Sequence, residues 1–213
     1  MKSKLTIIFT SDWQISSGIG DGHWADSMLV RNERGLPYIP GRALKGALRE
    51  GAWFLTKSGR RDLCAALDLF FGTRSSGTQR EVNEPGITYV RSAQLPPAFI
   101  SLFPKDCAAF DGLVADLTCS RIQTALENGQ VKAGSLRTAE CGIPGLFFDS
   151  ELEVDTMGLK VSEKWVKDYF TAVCAAVRSM GANRSRGLGC CRLRLDDSNP
   201  QRVMLPEEVE DVV

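Results

Sequence analysis

Two stretches of the sequence combine glycine with basic side chains in a way that suits binding of a negatively charged group. The first is YIPGRALKGALRE at residues 38–50. Pro40 restricts the backbone just before a helix and Gly41 is the expected N-cap, so the positive end of the helix dipole lies there. The flank of this helix carries the basic side chains of Arg42, Lys45 and Arg49. The stretch predicts an anion-binding helix start, although solvated helix flanks also carry basic residues without any ligand.

The second stretch is GANRSRGLG at residues 181–189. A Walker loop has four residues between its glycines and then Lys, whereas five residues separate Gly181 from Gly187 here and Leu188 follows. Gly181 alone is also typical of a helix C-cap, but that role does not account for the polar residues after it. Two arginines and a serine between glycines are typical of contact with a phosphate backbone. The predicted contact residues are Arg184, Ser185, Arg186 and Gly187.

The cysteine and histidine content argues against a zinc site. The chain has seven Cys and one His, and no Cys-x-x-Cys pair. Structural zinc sites normally use closely spaced pairs of these ligands, so no zinc is expected. The cysteines are expected to be reduced thiols that serve as small core residues.

The overall charge gives no sign of nucleic-acid binding, because 26 Lys plus Arg balance 26 Asp plus Glu. Local clusters matter more than the sum, so this balance does not exclude RNA. The N-terminus lacks the pattern of a signal peptide, and no apolar run approaches the roughly 20 residues that span a bilayer. These features predict a cytoplasmic protein with no membrane partner.

Hydrophobic periodicity predicts the order strand, helix, strand, strand, helix, strand. Alternation at Leu5, Ile7 and Phe9 predicts the first strand, and a stripe at helical spacing predicts a helix over residues 42–56. Further strands are expected within 86–95, 112–119 and 146–155, a second helix over 165–177, and a last strand over 191–195. This order predicts an α+β fold of the ferredoxin-like, RRM-like type. We expect one domain over residues 1–213, with insertions around 72–111 and 118–142.

Both glycine-containing stretches resemble motifs of the RAMP superfamily of CRISPR-associated proteins. PYIPGRALKGALRE resembles the first-helix motif of the family, and MGANRSRGLGCCRL resembles its C-terminal glycine-rich loop. Residues 121–147, which begin with an Arg-Ile pair, resemble its central segment. The segment ADSMLVRNERGLPYIPG is similar to that of the RNA-cleaving backbone subunit of type III effector complexes, which has an aspartate in a loop before the first helix. Small hydroxyl residues usually follow Pro-Gly in the family, whereas Arg42 and Ala43 do so here.

The resemblance implies a guide-RNA-binding subunit that forms a filament with copies of itself and joins other CRISPR effector subunits. The ferredoxin-like domain, called the palm in this family, would contact guide RNA. A thumb-like hairpin, expected at residues 120–137, would kink the pairing of guide RNA with target RNA. The aspartate falls on Asp26, which would cut target RNA and act as ligand to a weakly held, RNA-dependent Mg²⁺ or Mn²⁺ ion. The implied RNA contacts outside the glycine-rich loop are Arg42, Lys45, Arg49, Arg121, Lys132 and Arg137.

Two alternatives to cleavage by Asp26 stay open at this point. The subunit could hold guide RNA as a scaffold without any chemistry. It could instead process guide RNA as a metal-independent endonuclease, for which His23 is the candidate residue. A chelator separates the two cleavage chemistries, because it stops metal-dependent cleavage and leaves histidine chemistry intact.

Overall fold

The computed structural model describes residues 1–20, 25–73, 84–101 and 110–196. In chain order the helices and strands are β1 (Lys2–Phe9), α1 (Gly41–Thr56), α2 (Arg61–Phe71), β2 (Thr88–Val90), α3 (Pro97–Ile100), α4 (Phe110–Ala115), β3 (Thr118–Gln123), β4 (Leu126–Glu127), β5 (Gln130–Val131), β6 (Arg137–Gly142), β7 (Phe147–Val154), α5 (Glu163–Ala176) and β8 (Cys191–Leu195). The predicted α+β class is confirmed. Within these residues, no helix is both long and apolar enough to cross a bilayer.

Four strands form the main sheet in the order β2, β7, β1, β8, and every neighbouring pair is antiparallel. The register places Ile7 of β1 opposite Phe148 of β7 and Leu193 of β8. Because successive side chains of a strand point to opposite faces, these residues share one face, and that face is buried. The opposite face carries charged residues, including the ion pair of Lys4 with Asp149 at 2.9 Å. The buried face is therefore the one that the helices cover.

Helix α1 confirms the predicted helix, and its first residue lies one position earlier. It buries the predicted stripe, which includes Leu44 and Leu48. Pro40 occupies the N-cap position and the helix begins at Gly41, so the expected capping role of Gly41 is wrong. Glycine is required there for another reason, because an added Cβ atom would lie 2.2 Å from the Val90 carbonyl oxygen. The start of α1 thus packs directly on the end of β2.

Helix α5 also agrees with the sequence, beginning two residues before the predicted range of 165–177. Ser162 is its N-cap, and the Ser162 Oγ accepts a hydrogen bond from the Trp165 N–H at 3.2 Å. Helices α1 and α5 approach closely at Gly51, where an added Cβ atom would lie 2.7 Å from the Val173 carbonyl oxygen. The two helices and the sheet enclose a shared hydrophobic core.

Parts of the chain between α1 and β3 differ from the sequence-based expectation. The prediction of a strand over residues 112–119 is wrong in its first half, where α4 lies. Val114 and Leu117 both contact the core three residues apart, which is the spacing of a helix face. Helix α2 has no counterpart among the predicted elements.

Residues 118–142 form a β-hairpin, which confirms that a hairpin lies in the predicted segment. Strand β3 pairs with β6 along its whole length, and β4 pairs with β5 near the turn. Trp13 joins the hairpin base to the core, since it stacks on Phe9 with ring centroids 4.6 Å apart and forms a backbone bridge with Gly142. An added Cβ atom at Gly142 would lie 2.2 Å from the indole ring. The hairpin base therefore has no room for a larger residue at Gly142.

We expect Gly142→Ala to destabilise the protein by about 1–3 kcal/mol, because the new methyl group must displace the buried Trp13 ring. Gly46→Ala is the matched control, because Gly46 is exposed within α1 and no atom lies within 4 Å of an added Cβ. Alanine is a better helix former than glycine by about 1 kcal/mol, so this control should be stabilised. Urea unfolding followed by circular dichroism measures both changes. Equal midpoints for wild type and Gly142→Ala would contradict the tight contact with Trp13.

Candidate nucleic-acid interface

Three segments lie side by side at the base of the hairpin. The middle one is β6, whose Ala139 pairs with Arg121 of β3 on one side and forms a parallel bridge with Ser27 on the other. The segment that contains Ser27 is held in turn by the chain that follows β1, where the Val30 N–H donates to the Ile15 carbonyl at 3.0 Å. Strand β3 and the loop before α1 therefore flank the same strand.

Asp26, the predicted catalytic residue, lies near the start of β6. Its N–H donates to the Thr138 carbonyl at 2.8 Å, and its Oδ2 accepts a hydrogen bond from the Thr138 N–H at 2.7 Å. This reciprocal pair fixes both the backbone and the side chain of a residue that remains exposed. His23, the candidate residue for metal-independent cleavage, lies within residues 21–24, outside the described residues.

An ion pair between buried Glu140 and partly buried Arg31 anchors the chain that follows Asp26. The Glu140 side chain on β6 is buried, and its Oε1 lies 2.5 Å from Arg31 Nη2. Its other oxygen, Oε2, accepts a hydrogen bond from the Leu29 N–H at 2.9 Å. Both carboxylate oxygens are thus bonded, as a buried charge requires. Glu140 therefore holds the Asp26 loop against β6 through two separate contacts.

The glycine-rich segment folds into a 3₁₀ turn at Arg184–Arg186. The turn lies between two residues of positive φ, Asn183 at 56° and Gly187 at 84°. Glycine adopts this backbone conformation without strain, and asparagine tolerates it better than most residues do. The side chains of Arg184, Ser185 and Arg186 are exposed on the turn. The two positive φ values thus explain why an asparagine and a glycine stand on either side of the Arg184–Arg186 turn.

A groove of about 530 Å³ lies between this turn and β3. Arg121 on β3 donates from Nε to Asp12 Oδ2 at 2.6 Å and also from Nη2, and this contact raises the pKa of Arg121. Arg186 reaches across from the turn and donates to Gln123 Oε1 at 2.7 Å. The structure therefore brings Arg121, Arg186 and Gly187, three of the predicted RNA contacts, together around one groove. Two guanidinium groups line one groove, each held by an oxygen acceptor that a phosphate oxygen resembles.

Arg184 turns away from this groove toward α1. Its Nη1 donates to Glu50 Oε2 at 2.5 Å. The ion pair connects the glycine-rich turn to the middle of α1, so the two stretches that the sequence singled out do meet in the structure. They meet through Glu50, however, and not through the basic residues of the helix.

The basic residues of α1 lie outside the groove. The Lys45 Nζ donates to the Thr88 carbonyl at 2.7 Å, and burial together with nearby Arg49 lowers the pKa of Lys45. Arg49 Nη1 donates to the Phe71 carbonyl at 3.3 Å. Arg42 is exposed beside a separate surface groove next to β2. Two of the three predicted contacts therefore bind backbone carbonyls of neighbouring elements.

The start of α1 is less open than the sequence predicts. The Gly41 N–H, one of the amides expected to face an anion, donates to Ser92 Oγ at 3.1 Å. Close packing on Val90 also covers this end of the helix. The first-turn amides are therefore only partly available to a ligand.

Lys132 and Arg137, the remaining predicted contacts, lie on the hairpin. Lys132 forms an exposed ion pair with Glu127 at 3.5 Å, and Arg137 is exposed at the start of β6. The hairpin also exposes large apolar side chains. These are Ile122, Leu126, Val131 and Leu136, which are 69%, 69%, 64% and 65% exposed. Its surface is thus both basic and apolar, a combination suited to nucleic-acid phosphates and to apolar contacts.

Sequence reasoning did not predict three polar residues that shape this site. Asp12 and Gln123 hold the two groove arginines, and Glu140 anchors the Asp26 loop. Each bonds to a partner that is distant in the chain, so no local pattern marks it. Glu140 also lies in a run of four consecutive buried residues of β6. Because buried and exposed residues do not alternate there, the hydrophobic pattern does not predict a buried charge at this position.

Across the described ranges, no group of three or more His, Cys, Asp or Glu side chains is placed to hold a metal ion. The cysteines in these ranges are free thiols. Asp26 offers an exposed carboxylate, and hard divalent ions such as Mg²⁺ and Mn²⁺ take oxygen ligands. One carboxylate suits such an ion only when further oxygens, such as RNA phosphates, complete its coordination.

The sequence matches the family profile of the RAMP superfamily over residues 6–192. The chain belongs to the RAMP superfamily. Its predicted family is thereby confirmed, although no curated protein matches this RAMP sequence.

Three solved structures are similar to this RAMP protein. The first is a chain of type III-B Cmr-beta bound to cognate target RNA, with a TM-score of 0.64 and 13% identity over 92% of this chain and 97% of that chain. The second is a chain of type III-B Cmr-beta in the apo state, with a TM-score of 0.62 and 14% identity over 92% of this chain and 98% of that chain. The third is a chain of a type IV-B CRISPR complex, with a TM-score of 0.60 and 16% identity over 98% of this chain and 96% of that chain. At these identities the similarity shows the fold.

We expect Glu140→Gln in this RAMP protein to cost about 1–3 kcal/mol of stability, because the amide leaves Arg31 or the Leu29 N–H without its buried acceptor. Glu127→Gln is the matched control, because its pair with Lys132 is exposed and exposed pairs contribute little. Guanidinium unfolding measures both variants. An unfolding midpoint of Glu140→Gln at the wild-type value would contradict the anchoring role of Glu140.

Proposed function

We propose that this chain is a guide-RNA-binding backbone subunit of a type III CRISPR effector complex and that it cleaves target RNA at Asp26. The similar solved structures support the first part, because they are chains of Cmr-beta and of a type IV-B CRISPR complex. One observation carries the second part. Asp26 and Thr138 bond reciprocally, which holds an exposed carboxylate against the base of the hairpin.

A ferredoxin-like palm is part of this proposal. The sheet order is β8, β1, β7, β2. The chain passes from β1 through α1 to β2, and from β7 through α5 to β8. Both features are those of a βαββαβ fold. The hairpin of residues 118–142 lies between β2 and β7 and is then the thumb.

We assign the guide-RNA backbone to the groove between the glycine-rich turn and β3. A guanidinium group binds phosphate through a planar pair of donors, so Arg121 and Arg186 are suited to adjacent phosphates. The remaining exposed contacts of this surface are Arg184, Ser185, Gly187, Lys132 and Arg137. Lys45 and Arg49 contribute mainly through their charge, because both already donate to backbone carbonyls. Arg42 remains exposed beside α1 and extends the positive surface.

We expect Arg186→Ala to weaken RNA binding with little dependence on base sequence, because the contact is to phosphate. The slope of log affinity against log salt should fall by about 0.7 for a single-stranded RNA. Lys45→Ala should weaken binding less, since its ammonium group is bonded to Thr88. Fluorescence anisotropy at several salt concentrations measures both effects.

Arg61→Ala is the control for charge, because Arg61 is exposed at the start of α2, outside the groove. Its removal should leave the affinity close to the wild-type value. An unchanged affinity and salt slope in Arg186→Ala would exclude the glycine-rich turn from the RNA-binding surface.

The position of Asp26 suits proton transfer or charge stabilisation during RNA cleavage. Cleavage requires a 2′-hydroxyl in line with the scissile phosphate and compensation of the charge that develops on the phosphate oxygens. The Asp26 carboxylate can accept the hydroxyl proton or serve as a metal ligand. Because the Thr138 N–H holds Oδ2, the carboxylate has a set orientation before RNA binds. A bound Mg²⁺ or Mn²⁺ ion would stabilise negative charge on the phosphate oxygens.

We expect Asp26→Asn to lower the rate of target-RNA cleavage by roughly two to four powers of ten, because the amide cannot accept a proton. Assembly and RNA binding should be unchanged, because the asparagine oxygen can still accept from the Thr138 N–H. Single-turnover cleavage of labelled target RNA by the guide-bound complex measures the rate.

Asp155→Asn is the matched control, because Asp155 is also exposed and also accepts a hydrogen bond from a backbone N–H, that of Met157 at 3.0 Å. Full-rate cleavage by Asp26→Asn would leave the subunit as a scaffold or assign the chemistry to another residue. Cleavage that continues both in EDTA and in Asp26→Asn would favour the metal-independent alternative at His23.

We extend the proposal to assembly with further copies and with other effector subunits along the guide RNA. Repeated identical units on one strand require a head-to-tail interface that leaves open ends. The exposed apolar side chains of the hairpin are suited to such an interface. The equal numbers of basic and acidic residues let neighbouring copies meet without strong repulsion.

A further inference from the structure

Gln14 is a buried polar side chain, 3% exposed, between the glycine-rich turn and the Asp26 loop. Its Oε1 accepts a hydrogen bond from Asn183 Nδ2 at 3.0 Å, and its Nε2 donates to Ser27 Oγ at 3.0 Å. The Ser27 hydroxyl donates onward to Ser16 Oγ at 2.9 Å. Each group donates to the next, so a single orientation of the glutamine amide satisfies the whole chain of hydrogen bonds.

Each end of this bridge is next to a residue of the proposed site. The Asn183 carbonyl accepts a hydrogen bond from the Arg186 N–H at 2.9 Å, so Asn183 is part of the turn that presents the arginine. Ser27 follows Asp26 directly in the chain. Gln14 therefore lies two hydrogen bonds from the backbone of Arg186 and one hydrogen bond from the residue after Asp26.

The glutamine also has a cost that an apolar residue would avoid. A buried amide destabilises the fold unless its donor and acceptor are both bonded. Gln14 meets this requirement only while Asn183 and Ser27 stay in place. A movement of the turn when RNA binds must consequently move the Asp26 loop or break a buried hydrogen bond.

We propose that Gln14 is a positioning residue that sets the Asp26 loop according to the RNA occupancy of the glycine-rich turn. The proposal rests on the function proposed above, since that function gives RNA binding to the turn and cleavage to Asp26. Phosphate bound at Arg186 fixes Asn183, and the Gln14 bridge then holds Ser27 and the adjoining carboxylate in one position. The Asp26 loop, already bonded to Thr138, is thereby restrained further once RNA occupies the turn.

The test compares the full-length wild type with three variants, using polyuridine RNA as the probe. Gln14→Met keeps the length of the side chain and removes both hydrogen bonds. Ser27→Ala removes the hydrogen bonds of the Ser27 hydroxyl to Gln14 and Ser16 but keeps the bond between Gln14 and Asn183. Ser27→Thr keeps the hydroxyl. Hydrogen exchange is measured with and without RNA at the amides of Asp26, Met28 and Thr138, which are hydrogen-bonded in or against this loop. RNA affinity and target cleavage by the guide-bound complex are measured in parallel.

In the wild type, RNA should slow exchange at these three amides. Gln14→Met and Ser27→Ala should lose this RNA-dependent slowing while their RNA affinity stays close to wild type. Their cleavage rate should fall by about a hundred-fold, the effect of a small misplacement of a catalytic group. Ser27→Thr should retain both the slowing and the rate, because the bridging hydroxyl is kept.

Slowing that persists in Gln14→Met and Ser27→Ala, or that is absent from the wild type, would overturn the proposal. If Gln14→Met does not fold, Ser27→Ala decides the question, because it removes one partly exposed hydroxyl. A wild type that shows the slowing but cleaves nothing would refute the chemistry of Asp26 and leave the coupling through Gln14 supported. The failures of the two proposals are thus distinguishable.

Discussion

Trp13 is fully buried between Phe9 of the main sheet and Gly142 at the base of the hairpin. Its N–H and carbonyl both bond to Gly142, at 3.1 and 2.8 Å, so the ring and the backbone are fixed together. The residues on either side of it are polar and belong to the site. Asp12 holds an arginine of β3, and Gln14 connects the glycine-rich turn to the loop before α1. Burial of the Trp13 ring therefore positions Asp12 and Gln14. Asp12 contacts the hairpin, and Gln14 contacts both the glycine-rich turn and the loop before α1.

The cations of the proposed RNA surface are largely paired within the protein. Arg121 bonds to Asp12, Arg184 to Glu50, and Lys132 to Glu127. The pairs of Arg184 and Lys132 are exposed on both sides and contribute little to stability, so a phosphate can replace the carboxylate there at small cost. The chain has equal numbers of basic and acidic residues, and these carboxylates neutralise the cations in the free protein. The cations become available to RNA only when a phosphate displaces the paired carboxylate.

The range of each sequence signal determines how much of the structure could be predicted. The strands β1, β7 and β8 and the helices α1 and α5 were predictable, because periodicity is a local property and each burial stripe is long. The short apolar run that became α4 was not, because such a run is compatible with a helix or a strand. The glycine-rich turn was predictable from its composition, since two glycines and an asparagine suit positive φ. The pairs Asp12–Arg121 and Glu140–Arg31 were not, since each joins residues about a hundred positions apart. Asp26 was suggested by family resemblance alone, and its bonding to Thr138 required the structure.

The hairpin presents four large apolar side chains to water on a narrow ribbon. Its turn is held by β4 and β5, which have two residues each. Burial of this apolar area between two molecules lowers the free energy, so the isolated chain has a tendency to aggregate. Resistance to aggregation then depends less on the net charge of the chain than on whether the apolar side chains of the hairpin are covered. A chain purified without a molecule that covers the hairpin is accordingly expected to aggregate more readily as its concentration is raised.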